Sequence, residues 1–259
     1  MISRNLDKAR KAYDDKDIEA TIKAHDDSDE PHKEGGKYIK SLIYGGLDGI
    51  ITTFAVVAGV AGASLTAGIV LIMGFANLIA DGLSMAIGDY LSTKAEAEYQ
   101  STERKREEWE VDNYPEGEKQ EMIELYMEKG ISKDDATKMT DILSKHKEAW
   151  INVMMVEELG IVEEDESPLK NALVTFVSFL VFGFIPLLAY VISAFVPQIN
   201  NITFMLASIL TGMTLFLLGA LKVKITSKNW LKSGLEMLVV GGIAAIAAYI
   251  IGVLLSGLA

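Results

Sequence analysis

Met73, Asn77, Asp81, Met85 and Asp89 recur at a strict four-residue spacing inside a mostly apolar stretch. On an α-helix such a stripe drifts by only about 40° per step, so one face presents thioether sulfur, amide and carboxylate together. Asp48 is the only charged residue between Ser41 and Ala80. It lies about ten residues into its apolar run, or about 15 Å at the helical rise. An Asp at mid-bilayer costs roughly 2.5–3.5 kcal/mol on insertion scales, so it usually faces a protein interior or a water-filled cavity. Carboxylate and carbonyl oxygens suit Mg, Ca or Mn, and a thioether adds affinity for softer ions. Mixed donors of this kind favour an Fe(II)-like ion. The competing reading makes the methionines gap-fillers and Asp89 an interfacial residue.

A second constellation lies between the apolar runs. Glu103, Glu107 and Glu110 stand at i, i+4 and i+7, Glu118 and Glu121 form an E-x-x-E pair, and Met154, Met155 and Glu158 fall within one turn. Carboxylates three or four apart present oxygens to one point, as a divalent ion requires. A single such pair is weak, because Glu-rich helices are usually solvated faces; three groups in one short module carry more weight. Paired Glu is also a di-iron oxidase signature, but that site needs Glu-x-x-His on two helices. The histidines are His25, His32 and His146, none with a Glu three residues before it, so the chain does not read as an enzyme.

The elements that must position these groups follow from how charge is distributed. The 259 residues carry 36 acidic and 24 Lys or Arg side chains, a net charge of -12. Ten of the acidic residues precede Gly35, 22 lie between Ser92 and Pro168, and the remaining four are Asp48, Asp81, Asp89 and Glu236. Blocks of this kind describe a chain partly dissolved in lipid. Five spans are predicted: near 39–61, near 66–91 and running on into the acidic block, Leu169–Val196, Ile202–Leu221 and Leu231–Leu258. Small residues at Gly62-Ala63-Ser64 mark the first turn, and Gly45-xxx-Gly49 suits a tight helix contact. The fold class is therefore all-α, a polytopic membrane protein with five transmembrane helices. Its organisation reads as a cytosolic tail over 1–37, spans 1–2 over 38–91, an acidic helical metal-binding module over 92–168, and spans 3–5 over 169–259.

Within the module, Asn113-Tyr114-Pro115 stops the run-on helix, a second covers about 117–129 to Gly130, Ser132-Lys133-Asp134-Asp135 opens a third, and a fourth covers about 147–159 to Gly160. The tail holds an amphipathic helical pattern with Ala12, Ile18 and Ile22, then a DDSDEPHKEGG hinge, and no apolar leader. Lys33, Lys37 and Lys40 precede the first span, Lys170 abuts the third, and Lys222, Lys224, Lys228 and Lys232 flank the last connection. The loops near 63 and 198 have none, which places the N-terminus and module in the cytosol. The acidic balance disfavours nucleic acid. With no cysteine, a metal must be held by carboxylate, thioether, imidazole or backbone oxygen.

The segments YGGLDGIITTFAVVAGVAGA and ANLIADGLSMAIGDYLSTKAE, the E-x-x-E pairs, AWINVMMVEELG and the proline in GFIPLLAY resemble the vacuolar iron transporter family over about residues 38–258. The resemblance implies a homodimer of five-span subunits that exchanges cytosolic Fe(II) for protons across a vacuolar or other acidic-organelle membrane, with Mn(II), Co(II) and Zn(II) as related substrates and no permanently bound cofactor. It implies pathway ligands at Asp48 and Met85 and metal capture at Glu107, Glu110, Glu118, Glu121, Met154, Met155 and Glu158. Asn77 stands where plant-type members have Glu, and Asp81 and Asp89 replace small residues. Two other mechanisms are also weighed: a membrane-anchored metal buffer or sensor, which gains nothing from an intramembrane Asp48, and a metal channel without proton coupling.

Overall fold

The computed structural model describes residues 6–25, 38–162, 167–226 and 229–258. Among these the secondary structure is helical: α1 (Leu6–Asp14), α2 (Ile18–His25), α3 (Ile39–Gly62), α4 (Ala67–Asn113), α5 (Pro115–Glu128), α6 (Lys133–Leu143), α7 (Lys147–Glu157), α8 (Pro168–Phe195), α9 (Thr203–Thr226) and α10 (Trp230–Leu255). A short 3-10 helix, Pro197–Ile202, leads into α9. The chain divides into two compact units, residues 90–168 and the remainder.

In the larger unit α3, the apolar part of α4, α8, α9 and α10 are each long and apolar enough to cross a membrane. Their packing differs from that of a soluble protein in burying many hydroxyls and leaving large apolar side chains outside. Ser41, Thr53, Thr175, Ser178, Ser193, Thr203, Thr211 and Ser233 are buried, whereas Ile72, Leu83, Leu173, Val181, Ile243 and Leu254 face outward. Small and hydroxyl-bearing residues inside, with large aliphatic ones outside, is the arrangement expected where lipid replaces water. The polytopic all-α class predicted from hydropathy holds.

α3 is central because it carries glycine where neighbours come closest. A Cβ at Gly45 would meet the Thr175 carbonyl oxygen at 2.5 Å, and one at Gly49 would lie 2.9 Å from Phe179 Cα, both on α8. Gly62 meets the Tyr249 backbone of α10 in the same way. The Gly45-xxx-Gly49 contact is thus made within the subunit. The turn after α3 is made by Ser64, at φ 59, which leaves Gly62 for packing. One apolar cluster joins α3, α4, α8 and α9 through Phe54, Val57, Val70, Leu187, Tyr190 and Ala207. Another joins α3, α9 and α10 through Ile50, Leu215, Leu218 and Met237.

The smaller unit begins within α4, which runs unbroken to Asn113. Pro115 opens α5 at its first position, where the missing N–H costs nothing. α5 closes at Gly130 (φ 89), and the chain after α7 turns at Gly160 (φ 66). Ser132 caps α6, its Oγ accepting from the Asp135 N–H and donating to Asp135 Oδ2. Val111, Met122, Trp150, Ile151, Met154, Met155 and Ile161 form the core.

In the tail, α1 packs on α2 around buried Ala12, while Ile18 and Ile22 are exposed. The DDSDEPHKEGG hinge, Lys33 and Lys37 lie outside the described residues.

Candidate metal centre

The acidic groups of the smaller unit are built on its core. Glu107 lies one turn before Val111, Glu118 one turn before Met122, and Glu158 one turn after Met154. Helical residues four apart share a face, so each carboxylate adjoins the apolar core through its own helix. Polar pairs hold the helices in register. Arg104 of α4 reaches Glu148 at 2.9 Å and Asn152 at 2.7 Å on α7, Lys147 pairs with Asp112, and Lys129 pairs with Glu157.

Two carboxylate trios result. Glu107, Glu110 and Glu118 each offer an oxygen within 4.8 Å of the others, and Glu118, Glu121 and Glu158 do the same, so Glu118 is common to both. Glu107 is 0% and Glu118 4% exposed, and one oxygen of each is buried without a hydrogen-bond partner. A buried, unpartnered carboxylate is costly unless a proton or cation joins it. Burial, followed by the charges of Glu158 and Glu110, pushes the Glu107 carboxyl up to about 7, although Arg106 opposes the rise. Burial, followed by Glu121, does the same for Glu118, also to about 7. Glu158 is raised as well, first by burial and then by Glu121. Oxygens crowded in this way, some in an apolar wall, have the spacing to hold a metal ion.

Glu103 shares the helix face but belongs to neither trio; its Oε2 lies 2.7 Å from Arg106 Nη1. Met154 and Met155 are fully buried in the core. Sequence reading overlooked Arg106, although its position three residues after Glu103 and four before Glu110 was a usable signal. It also missed that Glu118 bridges two groups, which only the approach of α4, α5 and α7 creates.

In the membrane unit, α4 meets α8 along Val70, Gly74, Leu78 and Gly82. Gly74 and Gly82 face Leu187 and the Phe176 and Phe179 rings, and Leu78 approaches Gly183. The stripe of Met73, Asn77, Asp81, Met85 and Asp89 is rotated by about 90° from that seam. Asp81 is exposed, Met73 is half exposed, and Asn77, Met85 and Asp89 are half-buried. Asp48 on α3 is half-buried and interacts electrostatically with Asp81. Asp89 accepts a hydrogen bond from Thr175 Oγ1 of α8. Asn77 Nδ2 is buried without a partner. Asp48 is thus within electrostatic reach of Asp81, and Asp89 is tied to α8; Thr175 gave no sign of this in the sequence.

Comparison with known proteins gives concordant results. The VIT family profile matches residues 39–253. The chain is 43% identical to a protein named "Vacuolar iron transporter" from Toxoplasma gondii, over 97% of this chain and 89% of that one. It is 39% identical to one of the same name from Plasmodium falciparum, over 98% of each. It is 33% identical to "Vacuolar iron transporter 1" of Arabidopsis thaliana, over 85% of this chain and 87% of the relative. A match that takes in the spans, the intramembrane carboxylates and both trios is one of whole architecture, and on that ground the chain belongs to the VIT family.

Proposed function

We propose that this protein is a divalent metal/proton antiporter that moves Fe(II), and related ions such as Mn(II), from the cytosol into an acidic, vacuole-like store. The observation that carries this reading is the double carboxylate trio with its two buried, unpartnered oxygens, in a chain whose spans also hold Asp48 and Asp81. The names of the relatives supply the iron and the vacuole. The trios capture the ion on the cytosolic side, the side assigned by Lys40, Lys170, Lys222 and Lys232 near the span ends. Asp48 then takes metal in exchange for a proton, with Met85 as a soft donor beside the route. Ligands must be deprotonated to hold metal, so an acidic lumen drives release. The outward face of α4, with Asp81 exposed in an apolar belt, finds polar surroundings against a second copy of the chain, in a homodimer.

The test is Fe(II) uptake into proteoliposomes with an acidic interior. Wild-type protein takes up metal in proportion to the pH gradient and moves protons outward as metal enters. Asp48→Ala abolishes both while the purified protein still binds metal. Full proton-coupled uptake in that variant overturns the scheme, and uptake indifferent to the gradient identifies a channel. A buffer or sensor is the second reading, favoured by the placement of both trios in a compact unit of their own; it requires binding without flux.

A further inference from the structure

Arg106 reaches three carboxylates at once. Its Nη1 lies 2.7 Å from Glu103 Oε2, its Nη2 3.5 Å from Glu107 Oε1 and its Nε 3.7 Å from Glu110 Oε2. The short contact goes to the one carboxylate outside both trios, and the two long contacts go to members of one trio. The pattern is asymmetric in burial too. Arg106 is 48% exposed, Glu103 15% and Glu107 0%. An ordinary ion pair between helical neighbours lies over solvent, whereas this guanidinium bridges a peripheral acid and a buried one. The planar fork of arginine permits several simultaneous contacts that a lysine ammonium on its flexible stem does not fix.

We propose that Arg106, held in place by Glu103, is the resident counter-cation of the metal-free centre and sets its affinity. Arg106 partly neutralises Glu107 and Glu110 before an ion arrives and repels the ion once it is bound. Glu103, as the tighter partner, holds the guanidinium back at long contact from the trio. The physical need is release. Five converging carboxylates without a nearby cation hold a divalent ion strongly, and a capture site that passes its ion onward gains from a fixed positive charge at its rim. Glu103 and Arg106 are positioning residues in this scheme, and neither touches the metal. The inference rests on the reading of the trios as a metal centre.

The experiment is calorimetric titration of Mn(II) into purified, chelator-stripped full-length protein in detergent, without oxygen, at pH 8 and low salt. Arg106→Gln tightens binding about tenfold, and Arg106→Lys, which keeps the charge, stays within about threefold of wild type. The gain in Arg106→Gln shrinks in 1 M salt, where the Debye length is about 3 Å, a response that a merely structural role does not give. Glu103→Gln weakens binding because the freed guanidinium moves onto Glu107 and Glu110; it keeps Arg106, so this sign is readable even where Arg106→Gln destabilises the fold. The double variant Glu103→Gln/Arg106→Gln binds less tightly than Arg106→Gln alone, because the unpaired Glu103 charge attracts the ion through space, and the difference closes in 1 M salt. Should that difference persist in 1 M salt, Glu103 is a metal ligand and the proposal is overturned. Binding that Glu118→Gln abolishes but Arg106→Gln leaves unchanged overturns this inference alone. Binding that survives Glu118→Gln overturns the metal-centre reading and this inference with it.

Discussion

Glu107 and Glu118 are held in the folded protein at a pKa of about 7 against an ordinary value of 4.5. Because the folded value is the higher, the neutral forms favour folding. Their contribution is complete below about pH 4.5 and is lost as pH rises through about 7. A tenfold difference in proton affinity between folded and unfolded chains corresponds to about 1.4 kcal/mol, so each of the two coupled carboxyls accounts for a loss on the order of 3 kcal/mol. Chelator-treated protein is therefore expected to unfold more readily at pH 8 than at pH 5, followed through Trp109 and Trp150 fluorescence. Mn(II) at pH 8 should restore the stability by mass action, and Glu107→Gln/Glu118→Gln should remove both effects. A metal-free protein that is more stable at pH 8 than at pH 5 sinks this account. At this scale the acidic positions were legible, since spacings of three and four place carboxylates on one face. Their inequality was not. Glu103 and Glu107 look alike in the sequence, yet one is bound to Arg106 and the other is buried without a partner for Oε2. Met154 and Met155, beside Glu158, suit a ligand role in sequence and are buried in the apolar core; an unbranched thioether serves either purpose.

Helix boundaries were legible where a local breaker fixes them. Asn113-Tyr114-Pro115 ends α4 and starts α5, Ser132 caps α6, and Gly130 and Gly160 turn the chain at positive φ. Helix partners were less so. The Gly45 and Gly49 spacing announced a close contact without naming its surface, which the structure identifies as Thr175, Ser178 and Phe179 of α8. The obstacle at Gly49 is backbone, so Gly49→Ala cannot be accommodated by a side-chain rotation. It should force α3 from α8 at a cost of about 1–3 kcal/mol, seen as a lower melting temperature in detergent. Gly242→Ala on α10, where a Cβ meets nothing within 4 Å, serves as the control and should melt like wild type. Equal melting of the two variants contradicts the packing described for α3.

The molecule divides its acidic chemistry between two units joined through the continuous helix α4. Neither hydropathy nor charge distribution says how the two cooperate, because each reads one segment at a time. A kinetic division of labour follows if the trios collect the ion and Asp48 passes it. Interactions that only concentrate substrate act on KM, and interactions needed during passage act on the maximal rate. In proteoliposomes with an acidic interior, Glu118→Ala should raise the Fe(II) concentration for half-maximal uptake about tenfold or more and leave the maximal rate within about twofold. Asp48→Asn should lower the maximal rate at least tenfold while metal binding by the smaller unit stays intact. Asp81→Asn tests whether a second carboxylate of the membrane unit takes part. If Asp81 shares the exchange step with Asp48, to which it couples electrostatically, its loss should lower the number of protons moved per ion before it lowers the rate. The same KM and maximal-rate pattern from Glu118→Ala and Asp48→Asn would mean that the trios and the intramembrane carboxylates act as one site, and the two-stage scheme would fall.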